Sequence, residues 1–473
     1  MSAAANREIG LVRRLGLFDS TMVMAGIVIG SGIFLTTGIM AKTLPSPGWI
    51  LLAWMTGGLL TLAGALTYAE LGAALPQAGG QYVYLREAYG SMPGFLFGWI
   101  LFLVYQTGGI AVLALAFAEF FSYFFPALST RSLLFAFRIQ AMGLSLPFSV
   151  SWAQVVGVGV ILLLSLFNYL GVGLGKSIQN LFTILKIGII LAIVISGLIL
   201  SRGRSAPLGF GIPEMDTGSL LTGFGIALVA VIWAFDGWNN VNFVAGEIKQ
   251  PQRNLPLALI LGTLLITILY VLTNVVYLRA LPIPEMVGEV RIAEKATSAL
   301  FGASSGAVIS AAVLVSIFGS LNGSILTGPR VYYAMARDGL FFRAAGGVHP
   351  RRRTPGFALA LQAGWASLLT LSGSFEQIFT FAMFMAVLFW IGAAAAVFTL
   401  RRTRPDLPRP YRTWGYPIVP ALFILASSGI LVNTLVERPV EALAGVGLTI
   451  VGIPVYYFWH KKNPEPDRGD FLA

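Results

Sequence analysis

The feature that most limits what this chain can fold into is its division into twelve long apolar runs, separated by Gly, Pro or charge clusters. They lie near residues 17–42, 47–74, 92–125, 151–172, 176–201, 218–246, 255–279, 302–335, 355–372, 375–400, 414–435 and 441–460. Crossing roughly 30 Å of hydrocarbon takes about 20 apolar residues per helix, so each run is long enough to be a span or nearly so. Only 11% of the 473 residues are charged, against roughly 25% in an average soluble chain. Runs such as Ile178 to Leu200 do not alternate in polarity, which excludes an outer-membrane barrel. The expected fold class is an all-α, polytopic membrane protein of twelve transmembrane helices.

The net charge of +11 acquires a meaning once the basic residues are placed on that topology. With both termini cytoplasmic, the inner side collects Arg13, Arg14, Arg351, Arg352, Arg353, Arg401, Arg402, Arg404, Arg409, Arg412, Lys461, Lys462, Arg7 and Arg468. The outer side holds a thinner set, including Lys42, Arg131, Arg138, Arg202, Arg204, Arg291 and Lys295. This is the asymmetry of a cell inner (plasma) membrane protein with its ends inside. The basic surplus then meets anionic lipid headgroups and needs no nucleic acid to explain it.

Zero cysteines exclude disulfides, thiolate metal sites, a thiol nucleophile and a disulfide-linked heavy subunit. The two histidines, His349 and His460, fall in basic segments at the cytoplasmic edge, away from any buried proton relay. No polar stretch is long enough for a soluble domain, so residues 1–473 read as one membrane domain, expected as a monomer or weak oligomer. The first apolar run is expected to be an uncleaved anchor. Glu70 and Glu119, at the ends of spans, read as water-facing carboxylates.

Inside the first run, Val28-Ile29-Gly30-Ser31-Gly32-Ile33-Phe34 interrupts what would otherwise be a continuous helix. Unwound backbone at membrane depth survives only where protein, water or a ligand satisfies it. A second interruption, Trp233-Ala234-Phe235-Asp236-Gly237-Trp238-Asn239-Asn240, sits in the middle of the sixth run. A glycine pair alone fits close helix packing equally well, but two breaks five spans apart match an inverted repeat whose interrupted helices meet at a midplane site, an architecture for which transporters are the general example. The repeats would cover about 15–201 and 218–401, with helices 11 and 12 at about 412–461. The half-helix starting near Ile33 offers free N–H groups and the positive end of its dipole to a carboxylate. The half-helices ending near Val28 and Trp233 offer carbonyls to an ammonium. That pairing suits a zwitterionic α-amino acid.

Those residues, together with Phe318-Gly319-Ser320-Leu321-Asn322-Gly323-Ser324, Arg330 and Ala336-Arg337-Asp338-Gly339, resemble the amino acid-polyamine-organocation superfamily, and within it bacterial members of the L-type amino acid transporter branch. The resemblance runs from about Leu15 to Pro408-Arg409-Pro410-Tyr411 and implies a leucine-transporter-type fold, a 5+5 inverted repeat with helices 1 and 6 broken. It implies that the substrate lies against Val28, Ile29, Gly30, Ser31, Gly32, Ile33, Trp233, Ala234, Asp236 and Gly237, with the Trp233 ring closing over it as a gate. It also implies that Lys186 of the fifth span replaces the cation that sodium-dependent relatives hold between helices 1, 5 and 8. Asn239, Asn240, Ser316 and Ser320 are its expected neighbours.

Lys186 is the sharpest single residue, since an ammonium amid Leu181 to Ile195 must face the bundle interior and find partners there. Asp236 leaves two alternatives: its carboxylate faces the side-chain pocket and favours cationic substrates, or it caps a half-helix. Trp233 is larger than the phenylalanine common at the gate of the resembled family, which points to a small pocket for Ala, Ser, Gly or Thr. An intramembrane enzyme would need a nucleophile with a base, and the chain supplies neither a Cys nor an intramembrane His. A mere scaffold would have no use for two polar breaks. The expectation is a cofactor-free, sodium-independent exchanger of neutral α-amino acids, with proton-coupled symport as the alternative.

Overall fold

In the computed structural model, residues 10–141, 144–200, 208–210, 216–289, 291–302, 305–372 and 375–462 are described. Arg7, Arg202, Arg204 and Arg468 lie outside them.

The first run is two helices, α1 (Leu17–Val28) and α2 (Gly32–Met40), bent by 42° at the break. Then come α3 (Pro47–Ala74), the short α4 (Gln81–Tyr89) and α5 (Ser91–Phe121). A hairpin of β1 (Leu133–Ala141) and β2 (Leu144–Ser151) leads to α6 (Trp152–Leu170), α7 (Val172–Leu200) and α8 (Thr217–Ala234). The chain continues through α9 (Pro251–Ala280), α10 (Ile292–Phe301), α11 (Ser305–Arg337), α12 (Gly356–Ser372), α13 (Phe375–Thr403), α14 (Ile418–Glu437) and α15 (Pro439–Lys462). Among the described residues ten helices are long and apolar enough to cross a membrane, or eleven when the bent pair counts as one span. Helix α12 occupies the ninth expected run, but its 17 residues extend only about 25 Å at about 1.5 Å per residue.

On α7 polar residues face inward and many apolar ones outward. The buried face carries Gly175, Gln179, Thr183, Lys186 and Ile190, spaced at three and four residues. Leu181, Ile184, Leu185, Ile195 and Ile199 face outward. Lipid tails are as apolar as leucine, so apolar side chains gain nothing by turning inward, whereas polar ones must. Small residues then set how closely helices approach. A Cβ on Gly26 would collide with the side chains of Gln179 and Thr183, so glycine there lets α1 lie directly on α7.

Two features depart from the sequence reading. The stretch 126–150, between the third and fourth expected runs, contains an antiparallel hairpin whose register pairs Phe135 with Val150 and Phe137 with Phe148. And the second half of the sixth run is not an α-helix. Beyond Ala234 the chain turns and continues as a 3₁₀ segment, Asn240–Glu247, so Asp236 caps no half-helix.

Candidate functional site

The break at 29–31 leaves helix ends whose backbone groups can be followed one by one. Among the described residues the amides of Ser31, Gly32 and Ile33 make no hydrogen bond, while that of Gly30 turns back to the Val28 carbonyl at 2.7 Å. Of the last four carbonyls of α1, Ala25 accepts from Ile29 N, and Val28 accepts from Gly30 N and from the Tyr270 hydroxyl at 2.9 Å. Gly26 is taken by side chains of α7 and α11. The Ile27 carbonyl accepts nothing among the described residues.

The second break lies against the first. A Cβ on Gly32 would stand 2.9 Å from both the Cα and Cβ of Ala234, tighter than packed atoms allow. At Gly237 φ is +90°, where L side chains are strained, and a Cβ would also strike the Ile27 side chain. Tyr270 of α9 joins the two breaks, its hydroxyl lying 2.9 Å from the Val28 carbonyl and 3.2 Å from that of Ala234.

Between the breaks is a cavity of about 80 Å³. Its walls include Ile27, Val28, Gly30, Ser31 and Gly32 from the first break and Trp233, Ala234, Asp236, Gly237 and Asn240 from the second. Tyr105, Gln106, Gly109, Val112 and Leu113 of α5 and Ser324 of α11 complete it. Of the expected residues, Ile29 and Ile33 are fully buried and do not line it. Asp236 sits in the wall, accepting the Tyr105 hydroxyl at 2.7 Å, and no ion pair engages it among the described residues. A π-helical stretch, Leu101–Tyr105, immediately precedes Gln106. The extra residue of such a bulge rotates the helix face and brings Tyr105 and Gln106 to the cavity.

Next to the cavity, Lys186 is 1% exposed. Its ammonium lies 2.8 Å from the Gly26 carbonyl, 2.7 Å from that of Ile29, 2.8 Å from that of Ser316 and 3.3 Å from the Ser320 hydroxyl. The Ser316 hydroxyl donates to Ile29 O at 2.8 Å, and the Ser320 hydroxyl to Gly26 O at 3.0 Å. The cause is the break: Gly26 and Ile29 would serve Gly30 N and Ile33 N in an unbroken helix, and the interruption releases their oxygens to Lys186. Gly319 leaves the room, since a Cβ there would be 3.0 Å from the lysine Cε and Nζ.

Asn239 and Asn240 are not neighbours of Lys186. Asn239 Nδ2 donates to Gln81 at 2.8 Å, and Asn240 lines the cavity with Nδ2 3.5 Å from Gln106 Oε1. Both belong to the segment leading away from α8, and its turn carries them to other faces of the bundle.

Farther along, the Arg330 Nε donates to Glu247 Oε1 at 2.5 Å and Nη2 to Oε2 at 3.1 Å, both residues fully buried. Glu70 does not face water. It accepts from Arg401 at 2.8 and 2.6 Å and from Thr413 N at 2.7 Å, with Arg409 at 3.6 Å. Glu119 is half exposed, as expected, with Arg291 at 3.7 Å.

The family described as amino acid permease matches this chain over residues 15–457. The chain belongs to that family. Among its relatives is the serine/threonine exchanger SteT of Bacillus subtilis (strain 168), 34% identical over 96% of this chain and 98% of the relative. The human b(0,+)-type amino acid transporter 1 is 30% identical over 96% of this chain and 91% of its own length. The human large neutral amino acids transporter small subunit 2 is 29% identical over 96% and 82%. This permease is therefore a multi-pass membrane transporter and not an enzyme.

The sequence reading missed seven cavity residues, Ile27, Tyr105, Gln106, Gly109, Val112, Leu113 and Ser324, and the bridging Tyr270. For Tyr105-Gln106 a signal existed: two adjacent polar side chains in the apolar run 92–125. For Ile27 and Tyr270 there was none.

Proposed function

We propose that this permease exchanges small neutral α-amino acids across the plasma membrane by alternating access, without sodium. The observation that carries the reading is a pair of backbone sets on one cavity without partners among the described residues: the amides of Ser31 and Gly32 for a carboxylate, and the Ile27 carbonyl for an ammonium. Trp233, in the wall, is the gate. A cavity of about 80 Å³ is small, which favours a compact amino acid such as Ala, Ser or Thr. The relative named as a serine/threonine exchanger supports that size class. Lys186, on oxygens from both α1 and α11, holds a fixed positive charge where a coupling cation would otherwise sit. Helices of residues 15–201 and 218–401 act as inverted repeats, both termini face the cytoplasm, and the protein works as a monomer or weak oligomer against anionic lipid. Without cysteine it has no disulfide link to a heavy subunit.

The test is uptake of labelled serine or alanine into proteoliposomes, empty or preloaded with an amino acid, with and without sodium and a pH gradient. Preloading is expected to raise uptake several-fold, with sodium irrelevant. Uptake that needs an inward proton gradient and ignores the internal amino acid would replace exchange by symport. Substitution of Ser31 by Leu or Phe is expected to abolish binding.

Asp236 favours a second reading of substrate range. Its carboxylate lines the cavity and meets a tyrosine hydroxyl rather than a cation, which suits a cationic side chain. Lysine or arginine inside the vesicles would then stimulate uptake, and Asp236→Asn would remove that stimulation alone.

A further inference from the structure

We propose that Asn240 and Ser324 form a subsite that reads a hydroxyl group on the substrate's side chain. The inference rests on the amino acid reading above and adds to it a preference for hydroxylated over isosteric aliphatic substrates. The argument starts from Gln106, whose amide orientation its neighbours fix. Its Nε2 donates to the Ser324 carbonyl at 2.8 Å, a partner that can only accept. Gln106 Oε1 is thereby turned toward Asn240, whose nearer atom must be its donor nitrogen, at 3.5 Å. That leaves Asn240 Oδ1 pointing away from Gln106 with no partner, on a residue 4% exposed that lines the cavity. A buried amide oxygen without a donor is costly, and native structures rarely leave one so without water or ligand to fill it.

Ser324 lines the same cavity and shares Gln106 as a partner with Asn240, and its hydroxyl makes no hydrogen bond among the described residues. Among the other cavity side chains, the Tyr105 hydroxyl is spent on Asp236, and Gly109, Val112 and Leu113 supply no polar atom. Asn240 Oδ1 accepts and the Ser324 hydroxyl donates, which is the complement of an alcohol, itself donor and acceptor. Serine or threonine satisfies both atoms. A methyl of the same size satisfies neither and leaves both buried, which is how a site rejects an isostere.

The experiment is competition in proteoliposomes between pairs that differ only by hydroxyl for methyl, serine against 2-aminobutyrate and threonine against valine. The wild-type protein is expected to favour the hydroxylated member by about tenfold or more in apparent affinity. Asn240→Leu is expected to bring that ratio close to one, and Ser324→Ala to lower it a few-fold. Should Asn240→Leu fail to fold, as judged by gel filtration, Ser324→Ala and Asn240→Asp carry the test through the same ratio. Equal affinity for both members in the wild type would overturn the subsite, as would a loss in Asn240→Leu that is the same for serine and 2-aminobutyrate. A wild-type protein that transports none of the four would overturn the amino acid reading, and the subsite with it.

Discussion

Lys186 and Arg330 are both 1% exposed, yet the protein pairs them differently. Arg330 has a carboxylate, Glu247, in a two-point fork, with a further contact to the Leu326 carbonyl. Among the described residues no carboxylate pairs with Lys186. Three carbonyls and a hydroxyl surround it, two of those carbonyls freed by the break in the first span. The difference follows from what each region has to do. A forked arginine–carboxylate pair is geometrically specific and strongly resists removal of either member, so it suits a joint between α11 and the 3₁₀ segment that keeps one arrangement. An ammonium among dipoles has no directional fork and holds its contacts over a wider range of geometry. One cation is a strut and the other a bearing.

The comparison is broken most severely at the strut. Arg330→Ala strands Glu247 as an unpaired buried charge and is expected to lower stability by about 3–5 kcal/mol. Thermal unfolding in detergent reads this, and Arg330→Met with Glu247→Gln should recover most of the loss. A melting curve like that of the wild type in Arg330→Ala would mean the pair is not a joint.

At the bearing, Lys186→Ala removes charge-assisted hydrogen bonds worth about 1.5–3 kcal/mol each and is expected to slow exchange by about 10–100-fold. Substrate affinity, measured by calorimetry, should move far less than turnover. Equal losses in both would mean that Lys186 shapes the cavity instead of the transition between states.

A smaller effect is expected at the contact between the breaks. Gly32→Ala inserts a methyl against the Ala234 backbone, and overpacking costs of about 1–3 kcal/mol should weaken substrate binding about tenfold with the fold intact. The smallest is Tyr270→Phe, which removes one hydroxyl from the Val28 and Ala234 carbonyls, worth about 1 kcal/mol, or about fivefold in affinity. Binding that is indifferent to Gly32→Ala would show that the two breaks need not touch.

What was legible from the chain was whatever depends on neighbours in sequence. The spans, the break at Gly30-Ser31-Gly32 and the turn at Asp236-Gly237 are local matters of hydropathy and of residues that tolerate unwound backbone. Lys186 was legible for the same reason, because one ammonium in a long apolar run has few places to go. The choice of partners was not. Ser316 and Ser320 reach Lys186 whereas Asn239 and Asn240 do not, because the chain after Ala234 leaves the helix and points the two asparagines at Gln81 and Gln106. Glu70 looked solvated at the end of its span, and only the return of the chain near 401–413 brings Arg401 and Thr413 over it.

The sequence by itself thus determined that this is a polytopic membrane protein whose first and sixth runs are interrupted, since unwound backbone at membrane depth must be satisfied by protein, water or a ligand. Only the tertiary structure decided that Tyr270, over 240 residues away, joins the Gly30 amide on the Val28 carbonyl, while that of Ile27 keeps no partner among the described residues. It likewise decided which oxygen of the cavity wall lacks a partner. Satisfaction of a polar group is a property of everything packed around it, and packing joins residues that the sequence keeps far apart.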